Sequence, residues 1–267
     1  MPLARVGDIE LSYERAGEGP PLLLIMGMSG TKHHWGEPLL SDLRRDFDTI
    51  AYDHRDCGDS TKTGEPFTIA DLAEDAAALL QTLEVGSVHV TGISMGGMVA
   101  QELALAHPDR IRSLTLGCTY CGGEGSRLSS EATLRRLAEG MASGDRERAV
   151  RTAWEVNVSP TFAAKEDVYA TFLQNSLRYG VAMPVIMEQM RAITGHDTSA
   201  RLPELAAPTL VIHGTLDEML PVENGHMVAG LIPDARLEIF EDVGHLFFWE
   251  DPQRSAELVR EHAAVNA

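Results

Sequence analysis

Apolar and polar positions along the chain follow two rhythms. Residues 3–15 alternate around Gly7-Asp8, which predicts a hairpin leading into a sheet. After Pro20-Pro21 comes the unbroken apolar run Leu22-Leu23-Leu24-Ile25-Met26, the pattern of a strand buried on both faces, as in a parallel sheet. A helical stretch follows around 37–45 and a strand over 48–53. Residues 69–83 repeat on the helical period, with Leu72, Ala76, Leu79, Leu80 and Leu83 on one stripe. A strand over 87–92, a helix over 95–107 closed by Pro108, and a strand over 113–118 come next. Further strands are predicted at 209–213 and 236–240, with a last helix from about Pro252. Strands alternating with helices predict an α/β protein with a mostly parallel sheet built from βαβ units.

Residues 122–200 break this rhythm. They carry helical stretches near 129–143, 145–156, 165–179 and 183–194, with no convincing strand between them. The expectation is a core of residues 1–121 and 201–267 with a helical cap inserted at 122–200. The competing reading is that two ordinary βα units lie here with unrecognised strands.

The segment Val88-His89-Val90-Thr91-Gly92-Ile93-Ser94-Met95-Gly96-Gly97 joins a buried strand to a helix through G-x-S-x-G. A nucleophile at the tip of such a turn needs a strained backbone, and small residues two before and two after it let strand and helix approach. Ser94 is therefore the candidate nucleophile, above the carboxyl edge of the sheet where ligands bind in open α/β sheets. The Met95 N–H, at a helix N-terminus, is a candidate oxyanion donor. Taken alone the motif is common; between a strand and a helix it is much more specific.

A serine hydroxyl needs a base, and the base an orienting acid. Of ten histidines, His245 lies in Gly244-His245 just past the final strand, at the same sheet edge as Ser94. His89 falls inside a strand, His107 before Pro108 and His262 near the C-terminus; His213, before Gly214, reads as structural. Asp217 follows the strand at 209–213 and is the candidate acid, with Asp242 as its rival. The loop Met26-Gly27-Met28-Ser29-Gly30 offers the second oxyanion donor, the N–H of Met28, with Gly27 as the neighbouring option.

Composition narrows the function. Formal net charge is −18 over 267 residues, which excludes phosphate neutralisation and so argues against nucleic-acid binding. Three cysteines, Cys57, Cys118 and Cys121, do not read as a disulfide framework, and the lone C-x-x-C lacks the partners of a metal or redox site. No metal and no cofactor is expected. No apolar run approaches a membrane span, so no membrane association and a cytoplasmic location are the expectations. The oligomeric state stays open, a homodimer among the options.

Together, Met26-Gly27 through Trp35, Tyr52 through Ser60, Gly92 through Met98, His213-Gly214-Thr215-Leu216-Asp217 and Gly244-His245 make the sequence resemble the α/β-hydrolase superfamily over nearly its whole length. The loop at 52–60 is similar to that of aclacinomycin methylesterase-type hydrolases, and 92–116 is similar to 3-oxoadipate enol-lactonases. The resemblance implies attack at an ester or lactone carbonyl, with backbone donors at Met28 and Met95. The chain departs from the family at Met26-Gly27, where His-Gly is usual. Aspartate at the Ser94 position would mark epoxide hydrolases or haloalkane dehalogenases, and Asn at Ile93 is frequent in carbon–carbon bond hydrolases.

Gly27, Trp35, Trp154, Met183 and Met187 are candidates to line a substrate pocket, against the plainer reading that they are packing residues. The expected substrate is a small to medium, largely uncharged ester or lactone. The alternatives are carbon–carbon bond hydrolysis with the same three residues and a slow-turnover ligand-binding protein on the same fold.

Overall fold

A computed structural model describes residues 2–266. The chain opens with the predicted hairpin, β1 (Leu3–Val6) and β2 (Ile9–Ala16), and continues through β3 (Pro21–Ile25), α1 (Glu37–Leu43), β4 (Asp48–Tyr52) and α2 (Ile69–Thr82). Next come β5 (Val88–Ile93), α3 (Met95–Ala106) and β6 (Ile111–Gly117). Five helices follow: α4 (Glu131–Ala142), α5 (Arg146–Asn157), α6 (Pro160–Ala163), α7 (Glu166–Arg178) and α8 (Met183–Thr194). The chain ends with β7 (Thr209–Gly214), α9 (Glu223–Leu231), β8 (Arg236–Phe240), α10 (Phe247–Glu250) and α11 (Pro252–Ala264). Among the described residues no strand lies between β6 and β7.

The strands form one eight-stranded sheet in the order β1-β2-β4-β3-β5-β6-β7-β8. β1 and β2 pair antiparallel, as do β2 and β4; every pair from β4 through β3 to β8 is parallel. Side chains alternate across the pleat, and this sorts the core into two layers. Leu23, Ile25, Val88, Val90, Leu114 and Val211 face α2, α3 and α9. Leu22, Leu24, Ala51, Leu210 and Ile212 face α1 and α11. Both faces are covered, so β3 needs no polar positions, which explains its continuous apolar run.

Local signals set several element ends. The Thr68 Oγ1 accepts from the Asp71 N–H at 3.1 Å while Asp71 Oδ2 accepts from the Thr68 N–H at 2.7 Å, a reciprocal cap that starts α2. Asp251 caps α11, accepting from the Arg254 N–H at 3.0 Å, with Pro252 at the first helical position. The sequence pattern did not predict α9, whose Asn224, Gly225 and Gly230 are poor helix formers. Gly225 is there for packing: a Cβ added to it would lie 2.7 Å from His213 Nδ1.

The helical segment leaves and rejoins the sheet at one stitched junction. Thr198 N–H donates to the Cys121 carbonyl at 2.8 Å, and Thr198 Oγ1 donates to Gln101 Oε1 at 2.6 Å. Gln101 Nε2 in turn donates to the Tyr120 carbonyl at 3.1 Å, and the Tyr120 hydroxyl to the Ile193 carbonyl at 2.5 Å. At the far side the Leu246 N–H donates to the Asn157 carbonyl at 2.8 Å. Among the described residues no helix is long and apolar enough to cross a membrane.

Candidate active site

Ser94 sits between the end of β5 and the start of α3 with φ 56° and ψ −122°, outside the usual regions for an L-residue. Two close approaches hold it there. A Cβ on Gly92 would lie 2.3 Å from the Gly96 carbonyl oxygen, and one on Gly96 would lie 2.0 Å from the Ile25 oxygen. Only glycines let β5, α3 and β3 converge this tightly. The Ser94 N–H donates to the Gly117 carbonyl at 2.9 Å, and the Ser94 carbonyl accepts from Thr119 Oγ1 at 2.7 Å. The turn is thus tied to the end of β6 as well.

Asp217 and His245 lie on the loops after β7 and β8, at the same edge. His245 Nδ1 is 2.7 Å from Asp217 Oδ2, and both residues are buried. A carboxylate accepts, so Nδ1 carries the proton of the neutral ring and Nε2 keeps its lone pair. Asp217 Oδ1 accepts from the Met219 and Leu220 N–H groups, each at 2.8 Å. Burial alone would favour the neutral acid. The His245 ring, with hydrogen bonds from His213 and His245, outweighs it and holds the carboxyl well below the usual carboxylate range. Among the described residues no hydrogen bond joins the Ser94 hydroxyl to His245 in this state. Such contacts are commonly long before substrate binds and tighten in the complex.

His213, read from the sequence as structural, touches the acid. Its Nε2 lies 2.7 Å from the Leu220 carbonyl and 3.1 Å from Asp217 Oδ2. Gly225 leaves the room for that ring. Asp242, the rival acid, is turned away: at φ 60° its N–H donates to Thr215 Oγ1 at 2.9 Å, shaping the loop. Cys118, at the end of β6, completes the edge; its sulfur and donor atoms of Asp217 and His245 lie within 4.8 Å of one another. Burial and the Asp217 charge push that thiol well above its ordinary range.

The loop after β3 faces Ser94. A Cβ on Gly27 would lie 3.0 Å from Ser94 Cβ and 3.6 Å from its Oγ. The Gly27 carbonyl accepts from the Gly30 N–H at 3.3 Å, and the Met26 carbonyl from His54 Nε2 at 3.0 Å. Among the described residues, neither the Met28 N–H nor the Met95 N–H has a protein acceptor. The expected pocket residues divide. Gly27 is at the site. Trp35 is 1% exposed and packs against Phe248, on the α1 and α11 side of the sheet. Trp154 is fully buried among Phe162, Tyr169, Phe172 and Trp249. Both indoles are buried in one apolar cluster, where large flat rings remove much area from water, Trp154 against rings of α6, α7 and α10. Met183 and Met187 are 45% and 58% exposed on α8, whose inward side presents Gln189 and Ala192 instead. Arg191, on the same helix, is paired with Glu188.

Two residues that sequence reasoning missed hold these loops. Glu250 Oε1 accepts from the Gly244 N–H at 2.7 Å and the Ser159 N–H at 2.8 Å, tying the His245 loop to the end of α5. Gln189 reaches the loop after β3. No local pattern marks either one: Glu250 joins Gly244, six positions away, to Ser159, 91 away, and Gln189 meets Ser29 across 160 positions. A surface hollow of about 640 Å³ lies at the opposite edge of the sheet, beside Thr209, Arg236 and His262, whose Nε2 is 3.1 Å from the Pro208 carbonyl oxygen.

A mostly parallel sheet carries at one edge a strained serine turn and, on two neighbouring strand ends, a carboxylate–imidazole pair. Residues 20–252 match the family model for the alpha/beta hydrolase fold. The chain is 30% identical to "Putative carbamate hydrolase RutD" of Azorhizobium caulinodans over 97% of both chains. Among solved structures, a hydrolase from Pseudomonas aeruginosa PA01 is 30% identical, covering 97% of this chain and 96% of its own, with a TM-score of 0.83. The enol-lactonase from Burkholderia xenovorans LB400 is 25% identical with a TM-score of 0.86, covering 98% of this chain and all (100%) of its own. The chain belongs to the α/β-hydrolase fold family, and it is a hydrolase of that fold.

Proposed function

We propose that the protein is a serine hydrolase that cleaves a carboxylic ester or lactone through an acyl-enzyme. The observation that carries this reading is the 2.7 Å Asp217–His245 pair on the strand ends beside the strained Ser94 turn. His245 Nε2 takes the Ser94 proton as Oγ attacks the substrate carbonyl carbon. The oxyanion forms between the Met28 and Met95 N–H groups, the latter at the N-terminus of α3. The carbon–oxygen bond of the leaving alkoxide breaks, and the alkoxide takes the proton from His245. A water deprotonated by His245 then attacks the acyl carbon, Ser94 regains its proton, and the acid leaves. Asp217 stays ionised throughout and stabilises the imidazolium.

In this reading residues 122–200 form a cap over the edge of a core made of 1–121 and 201–267. The substrate is a small molecule, small to medium and largely uncharged, because the net charge of −18 opposes anions and Arg191 is already paired. The same machinery acts on a carbamate carbonyl, and the relative at 30% identity makes carbamates the second class to assay.

The test is hydrolysis of neutral aryl esters and lactones by the wild type and Ser94→Ala, with phosphonate labelling of the intact protein. Ser94→Ala should lose at least about 10⁴-fold in kcat and should not be labelled. If Ser94→Ala keeps most of the rate, the nucleophile assignment is wrong.

A further inference from the structure

Two successive peptide planes decide where the Met28 N–H points, and they are held from different places. In the first, the Gly27 carbonyl accepts from the Gly30 N–H at 3.3 Å. The C=O and N–H of a trans peptide point in opposite directions, so this bond turns the Met28 N–H out of the loop. The second plane carries the Ser29 N–H, which donates to Gln189 Oε1 on α8 at 2.9 Å. Ser29 sits at φ 60°, a conformation unfavourable for a non-glycine residue that persists only when its surroundings enforce it.

Gln189 is built into this position. It is fully buried, on a helix whose Met187 and Met190 are 58% and 39% exposed. Both ends of its carboxamide are engaged, since Nε2 donates to Cys57 Sγ at 3.3 Å. The helix is docked on either side of it. Glu188 Oε1 accepts from the Phe67 N–H at 3.0 Å, and Arg191 Nη2 donates to the Phe67 carbonyl at 2.7 Å.

We propose that Gln189 is a positioning residue for the oxyanion site. Its carboxamide oxygen, carried on α8, fixes the Ser29 peptide and through it the direction of the Met28 N–H. The inference rests on the reading of Ser94 and Met28 given above. It makes the helical segment part of the rate-determining machinery and not only a cover for the substrate.

The experiment compares wild type, Gln189→Met and Gln189→Glu on a neutral aryl ester, reading kcat and KM separately, together with the rate of Ser94 phosphonylation. Methionine keeps the side chain's length without an acceptor; glutamate keeps the acceptor for Ser29. Gln189→Met should lose about 10- to 100-fold in both kcat and phosphonylation rate, less than deletion of an oxyanion donor, with KM within about threefold. Gln189→Glu should recover most of that loss. If Gln189→Met does not fold, Gln189→Asn, one methylene short of Ser29, carries the same expectation. Wild-type kcat in the methionine variant, a loss confined to KM, or a glutamate variant as slow as the methionine one would each overturn the proposal. Failure of the underlying reading looks different: Ser94→Ala would remain active, or the phosphonate would not label the wild type.

Discussion

β5 and β7 are buried at every residue, whereas α4, with 12 residues, buries only Thr133 and Gly140. The two regions are held by different means. Around Ser94, glycine contacts and backbone hydrogen bonds over-determine the turn, so a strained conformation survives. In α4–α8 the packing is concentrated on Trp154 and its aromatic neighbours, and Leu134, Met141, Met183 and Met187 are left more than 40% exposed. The comparison teaches that rigidity is placed where atoms must be aligned, and looser packing where different groups can be accommodated. The two regions meet through an apolar contact, Trp154 and Phe172 against Trp249, and through polar side chains, the buried Gln189 and the partly exposed Glu250 among them.

The largest expected effect lies at the sheet edge. Asp217→Asn should lower kcat by about 10⁴-fold, because an amide no longer fixes the Nδ1–H tautomer or stabilises the imidazolium. Steady-state kinetics checks this, and a loss under about tenfold would mean that another group orients His245. Gly96→Ala comes next. Its methyl would sit 2.0 Å from the Ile25 oxygen, so the variant should lose about 3 kcal/mol in urea unfolding, or fail to fold. A mild effect there would show the edge to be less rigid than its contacts imply.

Protonation probes the junction between the two regions. Burial lowers both His34 and His196 to about 4. Their unfolded value is about 6.5, so below that pH the unfolded chain binds protons that the native rings refuse. Stability should therefore fall as pH drops from about 6.5 to 4, by about 2 kcal/mol per ring between pH 7 and 5. Asp217 acts lower: its depressed value keeps its contribution above about pH 3.9, and the contribution is lost only as pH falls toward the folded value. Urea titrations at pH 7 and 5 would measure the difference; a flat profile would place both rings in contact with water. The smallest effect is expected on the exposed side of α8. Met187→Ser should change stability by under about 0.5 kcal/mol, while KM for bulky esters records whether that side chain meets substrate.

Much of this was legible in the residues. Ser94 stood out because a strand, a glycine-flanked serine and a helix are consecutive in the chain. Asp217 and His245 could be placed at the right edge because each follows an apolar run that reads as a strand. Trp35 and Trp154, candidates to line a pocket, lie buried in an apolar cluster, and an aromatic in a loop or helix looks the same in sequence whether it lines a cavity or fills a core. Met183 and Met187 share a helical face, but periodicity does not say which face turns inward. His213 looked idle because its partner is reached only when the loop after β7 folds back on the strand.

By itself, the sequence determined the mostly parallel sheet and the strand-end location of the three candidate residues, because apolar period and glycine spacing act within a few residues. The tertiary structure alone decided that Asp217 bonds His245 and His213, that Glu250 clasps the His245 loop, and that Gln189 meets Ser29. Those contacts depend on how separate elements stack, and stacking is settled by burial summed over the whole core rather than by any local stretch of chain.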